Sequence, residues 1–256
     1  ATATTWTGGW YWPLTDAIVN FVAVTSIGGG VALGDTDNVN YDQTNHKFTV
    51  TLDNNNAATF DQTDLMYAIN REEKNAGTPV DAVSMVFKHA LSWVKFAFKT
   101  NVADVVTINS VELFADYNGT VDIKTTNFTD PTNALAVASQ WTNVAAPLTI
   151  KVPNADNTAA MDDMGLTNTT EFDAYGNGLL VVPTQAASET EPYFIITYTI
   201  EQNGNPVVYK YKYMITTDFV EATMYTYNIN ITLDEIEVAP TVTPWDEETA
   251  TEVELG

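Results

Sequence analysis

The segment Val83–Lys99, V-S-M-V-F-K-H-A-L-S-W-V-K-F-A-F-K, decides how this chain is organised. Its first half places apolar residues at odd positions such as Phe87, whereas its second half places them at even positions such as Phe96. Side chains of a strand alternate between its two faces, so a change of parity requires a break or an extra residue. We place this break at His89–Ser92 and predict two strands, with a small β unit before the segment and a larger β-sandwich after it.

The last third of the chain shows the clearest strand pattern. Apolar residues alternate with polar ones in Tyr193–Ile200, Val207–Ile215 and Tyr225–Leu233, as expected of antiparallel strands that face water on one side. Asn203–Pro206 predicts a turn, and a phase change predicts a bulge near Asp234–Glu235. No long segment has the helical period, so the sequence predicts an all-β fold of the sandwich type.

The middle of the chain adds shorter strands. We predict strands at Val105–Ala115, Leu148–Val152 and Leu179–Val182, and the Asn118-Gly119 pair predicts a hairpin turn. The polar segment Asn154–Asn177 is interpreted as a loop or a short helical excursion.

Three strands are predicted before the central segment. They cover Ala17–Ser26, His46–Leu52 and Asp64–Asn70, and the polar segment Arg71–Pro79 is interpreted as a linker. We therefore divide the chain into an N-terminal domain at 1–80, a C-terminal domain at 81–240 and a tail at 241–256.

The charge of the chain argues against some classes of partner. It has 256 residues, of which 33 are acidic and 10 basic, giving a net charge of −23. Such a surface repels phosphate backbones and anionic lipids, so we expect no nucleic-acid partner. The chain has no cysteine and no apolar run of about 20 residues, which argues against disulfides, thiolate metal sites and a helical membrane span.

The sequence predicts no catalytic site, cofactor or metal, and we expect no enzymatic activity. The histidines His46 and His89 lie far apart, and His89 interrupts an apolar segment, which is typical of a hydrogen-bonded core histidine. An Asp-rich segment beginning at Asp35 fails the EF-hand pattern because Val39 and Asn40 occupy its fifth and sixth positions. The aromatic residues at 6–12 either stack on sugars or pack under the first sheet edge.

The C-terminal tail, W-D-E-E-T-A-T-E-V-E-L-G from Trp245, alternates like a strand but follows Pro240 and Pro244, which interrupt the preceding strand. It is either a frayed end or a strand that pairs with another subunit, with main-chain hydrogen bonds giving affinity and alternate side chains giving register.

Several motifs, in this order along the chain, resemble the fimbrillin family of Bacteroidales surface pili. They are Y-W-P at Tyr11–Pro13 with I-V-N-F-V-A-V after it, D-L-M-Y-A at Asp64–Ala68, F-K-H-A-L-S-W-V-K-F-A-F at Phe87–Phe98, L-L-V-V-P-T-Q at Leu179–Gln185, Y-T-Y-N-I-N-I-T-L at Tyr225–Leu233 and P-W-D at Pro244–Asp246. The resemblance covers most of the chain.

The resemblance implies two transthyretin-like antiparallel β-sandwich domains in series. It also implies export as a lipoprotein precursor of a Gram-negative bacterium, cleavage that removes the first strand, and polymerisation by donor-strand exchange into fimbriae on the cell surface. A chain that begins at Ala1 fits such a cleaved product, although a boundary chosen for expression is the alternative.

The tail of one subunit would then fill a groove in the N-terminal domain of the next. The donor residues expected on this basis are Val242, Trp245, Thr249, Thr251, Val253 and Leu255. The acceptor residues expected in the strand Ala17–Ser26 are Ile18, Phe21, Val22 and Val24. Such head-to-tail contacts do not close, so they build a filament.

These features predict a pilin of the fimbrial shaft whose main partner is a second copy of itself, with tip and anchor fimbrillins as further partners. The alternative is a tip or accessory adhesin that binds glycan or protein ligands on host or bacterial surfaces.

Overall fold

The protein is described by a computed structural model in which every described segment is strand, turn or irregular backbone. The described residues are 17–27, 39–42, 47–53, 62–74, 82–83, 85–124, 141–143, 146–157, 159–166, 171–183, 192–233, 235–245, 248–249 and 253–254. Within these residues the fold is all-β, as predicted from the alternating pattern, and contains no helix.

Nineteen strands cover most of the described residues. In chain order the first ten are β1 (Ala17–Ile27), β2 (Val39–Asp42), β3 (Lys47–Asp53), β4 (Asp64–Lys74), β5 (Ala82–Val83), β6 (Val86–His89), β7 (Ser92–Thr100), β8 (Val106–Ala115), β9 (Asn118–Lys124) and β10 (Trp141–Asn143). The remaining nine are β11 (Leu148–Lys151), β12 (Met164–Leu166), β13 (Asp173–Val181), β14 (Tyr193–Gln202), β15 (Asn205–Met214), β16 (Thr223–Ile231), β17 (Ile236–Pro244), β18 (Glu248–Thr249) and β19 (Val253–Glu254).

The strands form two pairs of larger sheets. The first pair has the strand orders β1-β4-β6-β18 and β10-β9-β3-β2, and the second has β11-β8-β14-β15, with β12 also on β8, and β13-β7-β16-β17. A short ladder joins β19 to β5. All pairings are antiparallel except that between β7 and β16, which is parallel.

Each pair of sheets has its own hydrophobic cluster. The larger one contains the inward residues of β7, β8, β14 and β16, including Phe96, Phe194 and Tyr227, whose ring centroids lie 5.1–5.9 Å apart. Burying one such ring contributes about 1.5–3 kcal/mol. The smaller cluster contains Tyr67 and Trp141, which are 3% and 7% exposed.

The central segment is interrupted where its change of parity predicted a break, and it passes there from the first pair of sheets to the second. β6 ends at His89, residues 90–91 form a bend, and β7 begins at Ser92. All four residues at 89–92 are buried. The Ala90 N–H donates to the Leu65 carbonyl (2.7 Å), which satisfies the backbone where the strand is interrupted.

The interpretation of Arg71–Pro79 as a linker is wrong for its first four residues. Residues 71–74 complete β4, in which Lys74 pairs with Ala17 and Arg71 pairs with Asn20 of β1. The polar composition of these residues is compatible with a strand, because an antiparallel strand tolerates charges wherever one face is solvated.

The predicted hairpin turn at Asn118-Gly119 is also wrong. Asn118 begins β9, and β9 pairs with β3 and β10, whereas β8 belongs to another sheet. The glycine serves close packing instead, since a Cβ at Gly119 would lie 2.8 Å from the Trp141 ring. Gly119 therefore allows β10 to approach β9.

Two further segments differ from the sequence expectation. Asn154–Asn177, interpreted as a loop or short helix, contains β12 and the first half of β13, so the strand predicted at Leu179–Val182 begins earlier, at Asp173. Gly176 and Gly178, both with positive φ, and a register shift between Tyr175 and Leu179 interrupt the alternation there.

The last two long strands form a hairpin where a bulge was predicted. β16 ends at Ile231, Thr232 N–H donates to the Glu235 carbonyl (3.0 Å), and β17 returns antiparallel along β16. The phase change of the apolar residues therefore marks a reversal of direction. The turn predicted at Asn203–Pro206 is confirmed as the tight Asn203-Gly204 turn, where both residues have positive φ.

The sheets do not divide at residue 80. β6 and β9 follow that position in the chain, yet they pair with β4 and β3, which precede it, and β10 joins the same sheet through β9. The predicted domain bounds of 1–80 and 81–240 therefore separate strands that share a sheet, because the chain returns twice to its first sheets after residue 80.

Candidate functional site

Residues 241–244 of the predicted tail belong to β17, and the tail from Trp245 onward returns to the first sheet through β18. β17 is an edge strand on β16, which is where Pro240 and Pro244 are tolerated because an edge strand need not use every N–H. After Trp245, β18 pairs antiparallel with β6 through Glu248 and Phe87, and β19 pairs with β5. The tail thus adds as a strand to its own chain.

The beginning of the tail is held at Trp245. Its N–H donates to the Ala222 carbonyl (2.8 Å), which extends the ladder between β16 and β17 by one bond. Its ring stacks on the ring of His89, with centroids 3.7 Å apart and an interplanar angle of 5°. The Trp93 ring lies 5.2 Å from it, so Trp245 contacts the ends of both β6 and β7.

His89 is itself fixed by a buried carboxyl group. Its Nδ1 lies 2.7 Å from Asp64 Oδ2, and the two residues are 6% and 7% exposed. The second oxygen, Asp64 Oδ1, has no hydrogen-bond partner among the described residues. Burial raises the pKa of the Asp64 carboxyl, and the hydrogen bond and charge of His89 act in the opposite direction. The histidine is therefore a satisfied core residue, as the sequence indicated, with one face covered by Trp245.

Hydrogen bonds tie the first pair of sheets to the second around this cluster. The Gln62 side chain both donates to the Leu180 carbonyl (2.9 Å) and accepts from the Leu180 N–H (2.7 Å). Within the second pair of sheets, the Ser92 hydroxyl donates to the Val220 carbonyl (2.6 Å). The tail therefore begins close to a place where hydrogen bonds join several strands and loops.

The predicted donor residues occupy different positions in the structure. Val242 is 52% exposed in β17, and the Trp245 side chain contacts its own chain. Thr249 and Val253 lie in β18 and β19, where Thr249 pairs with Val86 and Val253 pairs with Val83. Thr251 and Leu255 lie outside the described residues.

The predicted acceptor residues lie in β1, at the end of the first sheet opposite to the tail. Val24 is half-buried and packs against the smaller cluster. The backbone positions of Ile18, Phe21 and Val22 pair with Glu73, Asn70 and Ile69 of β4. Among the described strands, only β4 pairs with β1, so the other edge of β1 has no described partner.

Other features raised by the sequence lie outside the described residues. These are the aromatic segment at 6–12, most of the Asp-rich segment after Asp35, and His46. In the part of the chain that the structure describes, no group of three or more acidic or histidine side chains is arranged to hold a metal ion. No helix among these residues is long and apolar enough to cross a membrane.

A family model described as fimbrillin-like matches residues 1–245. The chain belongs to the fimbrillin-like family. The match includes β1 to β17 and Trp245, and it ends where the tail begins. No curated protein matched this fimbrillin-like chain.

Two solved structures from Bacteroides species have a similar fold. A fimbrial protein from Bacteroides vulgatus ATCC 8482 is similar with a TM-score of 0.53 and 12% identity, over 78% of this chain and 68% of that one. A protein described as a cell adhesion protein from Bacteroides uniformis ATCC 8492 has a TM-score of 0.50 and 19% identity, over 93% of this chain and 77% of that one. At such identities the likeness concerns the fold.

Sequence reasoning did not find the contacts that His89 makes with Asp64 and with Trp245. The three residues are distant along the chain, and no spacing pattern links them. The available signal was the interruption at His89 in an apolar segment, since a polar residue in that place requires a buried partner.

Proposed function

We propose that this fimbrillin-like chain is a subunit of fimbriae on the bacterial cell surface, and that it joins further copies of itself by donating its tail as a strand. The observation that carries the proposal is that the tail already adds to the edge of the first sheet, at β6. The same ladder formed with a second copy exchanges identical contacts between subunits, which is a low-cost route to assembly.

Strand addition suits this tail on physical grounds. A strand edge presents unpaired N–H and C=O groups that a further strand satisfies. Main-chain bonds supply affinity, and alternate side chains select the register. Because a donated tail leaves the donor's own acceptor edge available to a third copy, the assembly grows from head to tail and does not close.

The first sheet offers two edges for the incoming strand. β6 carries the chain's own tail, which gives the register directly, with Glu248 opposite Phe87. β1, with the predicted residues Ile18, Phe21, Val22 and Val24, is the second candidate edge. We propose β6 as the receiving edge because a described ladder exists there.

Electron microscopy of the full chain beside a chain lacking residues 246–256 tests the proposed function. The deletion removes β18 and β19 but retains Pro244, the last residue of β17, and Trp245 with its bond to Ala222, so the remaining strands keep their pairings. We expect filaments from the full chain and folded monomers from the shortened one. Filaments from both chains would contradict donation of the tail.

Cross-linking between copies identifies the edge. The chain has no cysteine, so introduced thiols react without competition. A chain with Glu248→Cys is mixed during assembly with one carrying Phe87→Cys on β6, or with one carrying Val22→Cys on β1. Disulfide-linked pairs with the first partner support β6, and pairs with the second support β1. If the full chain stays monomeric and binds glycans or surface proteins, a tip or accessory adhesin replaces the shaft subunit.

The proposal includes the remaining expectations from the family resemblance. Export through a lipoprotein precursor, removal of a first strand and contacts with tip and anchor fimbrillins are consistent with a fimbrial subunit. They are tested on cells by following the mature chain to the surface.

A further inference from the structure

One cluster brings together residues from four separate parts of the chain. Asp64 begins β4, His89 ends β6, Trp93 lies in β7, and Trp245 follows β17. The rings of His89 and Trp245 are nearly parallel at 3.7 Å, which is full stacking contact between two flat groups. The cluster is thus the place where the folded sheets meet the first residue of the tail.

The buried pair of Asp64 and His89 is better explained as a means of orienting the His89 ring than as a source of folding stability. Two apolar residues of similar volume would fill the same space without the cost of removing a carboxyl group from water. The hydrogen bond of 2.7 Å instead fixes the plane of the imidazole ring. A fixed ring plane is what a stacked partner requires.

The position of the stack also determines where the tail goes. His89 follows Phe87 by two residues, and Trp245 precedes Glu248 by three, while Phe87 and Glu248 are partners in the antiparallel ladder. The stacked rings therefore lie at the beginning of that ladder, where a fixed point sets its register. The backbone bond from Trp245 to Ala222 holds the same point from the other side.

We propose that Asp64 and His89 are positioning residues that hold Trp245 as a latch, so that the tail docks on β6 of its own chain until a second copy takes it up. The role in assembly rests on the proposed donation of the tail. The latch keeps the first sheet's β6 edge covered in the single subunit. Opening of the stack releases the tail, which then pairs with the same edge of another copy.

The test measures the position of the tail in the single chain. A chain with Phe87→Cys and Glu248→Cys reports tail docking as the rate of disulfide formation within one molecule at low protein concentration. Two backgrounds are compared: Asp64→Leu with His89→Phe retains a ring beneath Trp245, and Asp64→Leu with His89→Ala removes it. Neither background leaves a buried charge unpaired.

We expect the disulfide to form about two- to tenfold more slowly in the background without the ring, which is the factor that corresponds to a stacked aromatic pair. Equal rates in the two backgrounds would overturn the latch. Because a variant at position 89 can fail to fold, a second comparison uses Trp245→Phe and Trp245→Leu in the otherwise unchanged chain, and the same difference is expected there.

Assembly is measured on the same two backgrounds without the cysteines. We expect filaments to form about two- to tenfold faster when the ring is absent. Docking of the tail on its own chain then competes less with its transfer to a second copy. Unchanged or slower assembly would overturn the latch as a restraint on exchange. If the unmodified chain forms no filaments, the proposed function fails, whereas the rates of disulfide formation still decide whether His89 positions Trp245.

Discussion

At the scale of single residues, the buried contact between Asp64 and His89 places two polar groups out of water. Both groups are polar, both are less than 10% exposed, and each depends on the other for its hydrogen bond. Burial raises the pKa of Asp64 because the ionised carboxylate is poorly solvated in the fold. Removal of one partner therefore costs more than removal of both.

The substitution His89→Ala should lower the free energy of unfolding by about 3–5 kcal/mol, because it leaves the Asp64 carboxyl buried without its partner. The double substitution Asp64→Leu with His89→Phe should cost much less, since apolar groups of similar shape replace both members. Denaturant unfolding of the three chains measures the difference. Equal losses in the single and double variants would contradict this account.

The sequence allowed the break in the central segment to be predicted but not the partner of its histidine. The change of parity between Phe87 and Phe96 is a local property, and the bend at 90–91 follows from it. The choice of Asp64 and Trp245 as neighbours of His89 depends on how β4, β6 and the tail are ordered in space. No period along the chain carries that information.

At the scale of elements, glycines show why β13 was recognised only in its second half. Gly176 and Gly178 have φ values of 61° and 85°, which interrupt the alternation on which strand prediction depends. A Cβ at Gly178 would lie 2.5 Å from the Val94 carbonyl oxygen in the neighbouring strand β7. The irregular half of β13 is thus required by a close approach of two backbones.

A comparison of Gly178→Ala with Gly204→Ala tests this requirement. Both glycines have positive φ, so each substitution carries a backbone cost of about 1–2 kcal/mol. Only Gly178 also faces a backbone atom, whereas nothing lies within 4 Å of a Cβ at Gly204. We expect the Gly178 variant to lose clearly more stability in thermal unfolding. Similar losses for the two variants would show that β13 can move away from β7.

At the scale of the whole molecule, the core is rich in buried tyrosines. Burial raises the pKa of each of the following phenols above the ordinary value of 10.0: Tyr117, Tyr175, Tyr198, Tyr225 and Tyr227. The folded chain therefore keeps protons that the unfolded chain releases above pH 10, and the free energy of unfolding falls as the pH rises through that range.

We expect the protein to unfold cooperatively in alkali, with phenolate absorbance rising at the same pH at which the sheets are lost. A denatured sample, in which the tyrosines are exposed to water, provides the reference titration curve. Gradual ionisation near the ordinary pKa, with the β-sheet signal unchanged, would show that these phenols titrate inside the folded protein.

The sequence predicts those parts of the architecture that follow from the alternation of apolar and polar residues. The strands β14, β15 and β16 were placed nearly correctly because their residues alternate between an inward and a solvated face. The assignment of β9 and β10 to the first sheets was not accessible, because pairing between Val50 and Val121 joins segments that are far apart in the chain. The bounds of a β unit depend on such pairings.

The hairpin of β16 and β17 has a mechanical consequence for any assembly in which the tail is pulled by a neighbour. β17 is joined to β16 from Ile236 to Pro244, and the tail continues from its Pro244 end. A force along β17 loads these bonds in shear, so they must yield together, while the parallel ladder between β16 and β7 transmits the load into the larger core. Traction on the tail would thus be borne by the sheet β13-β7-β16-β17.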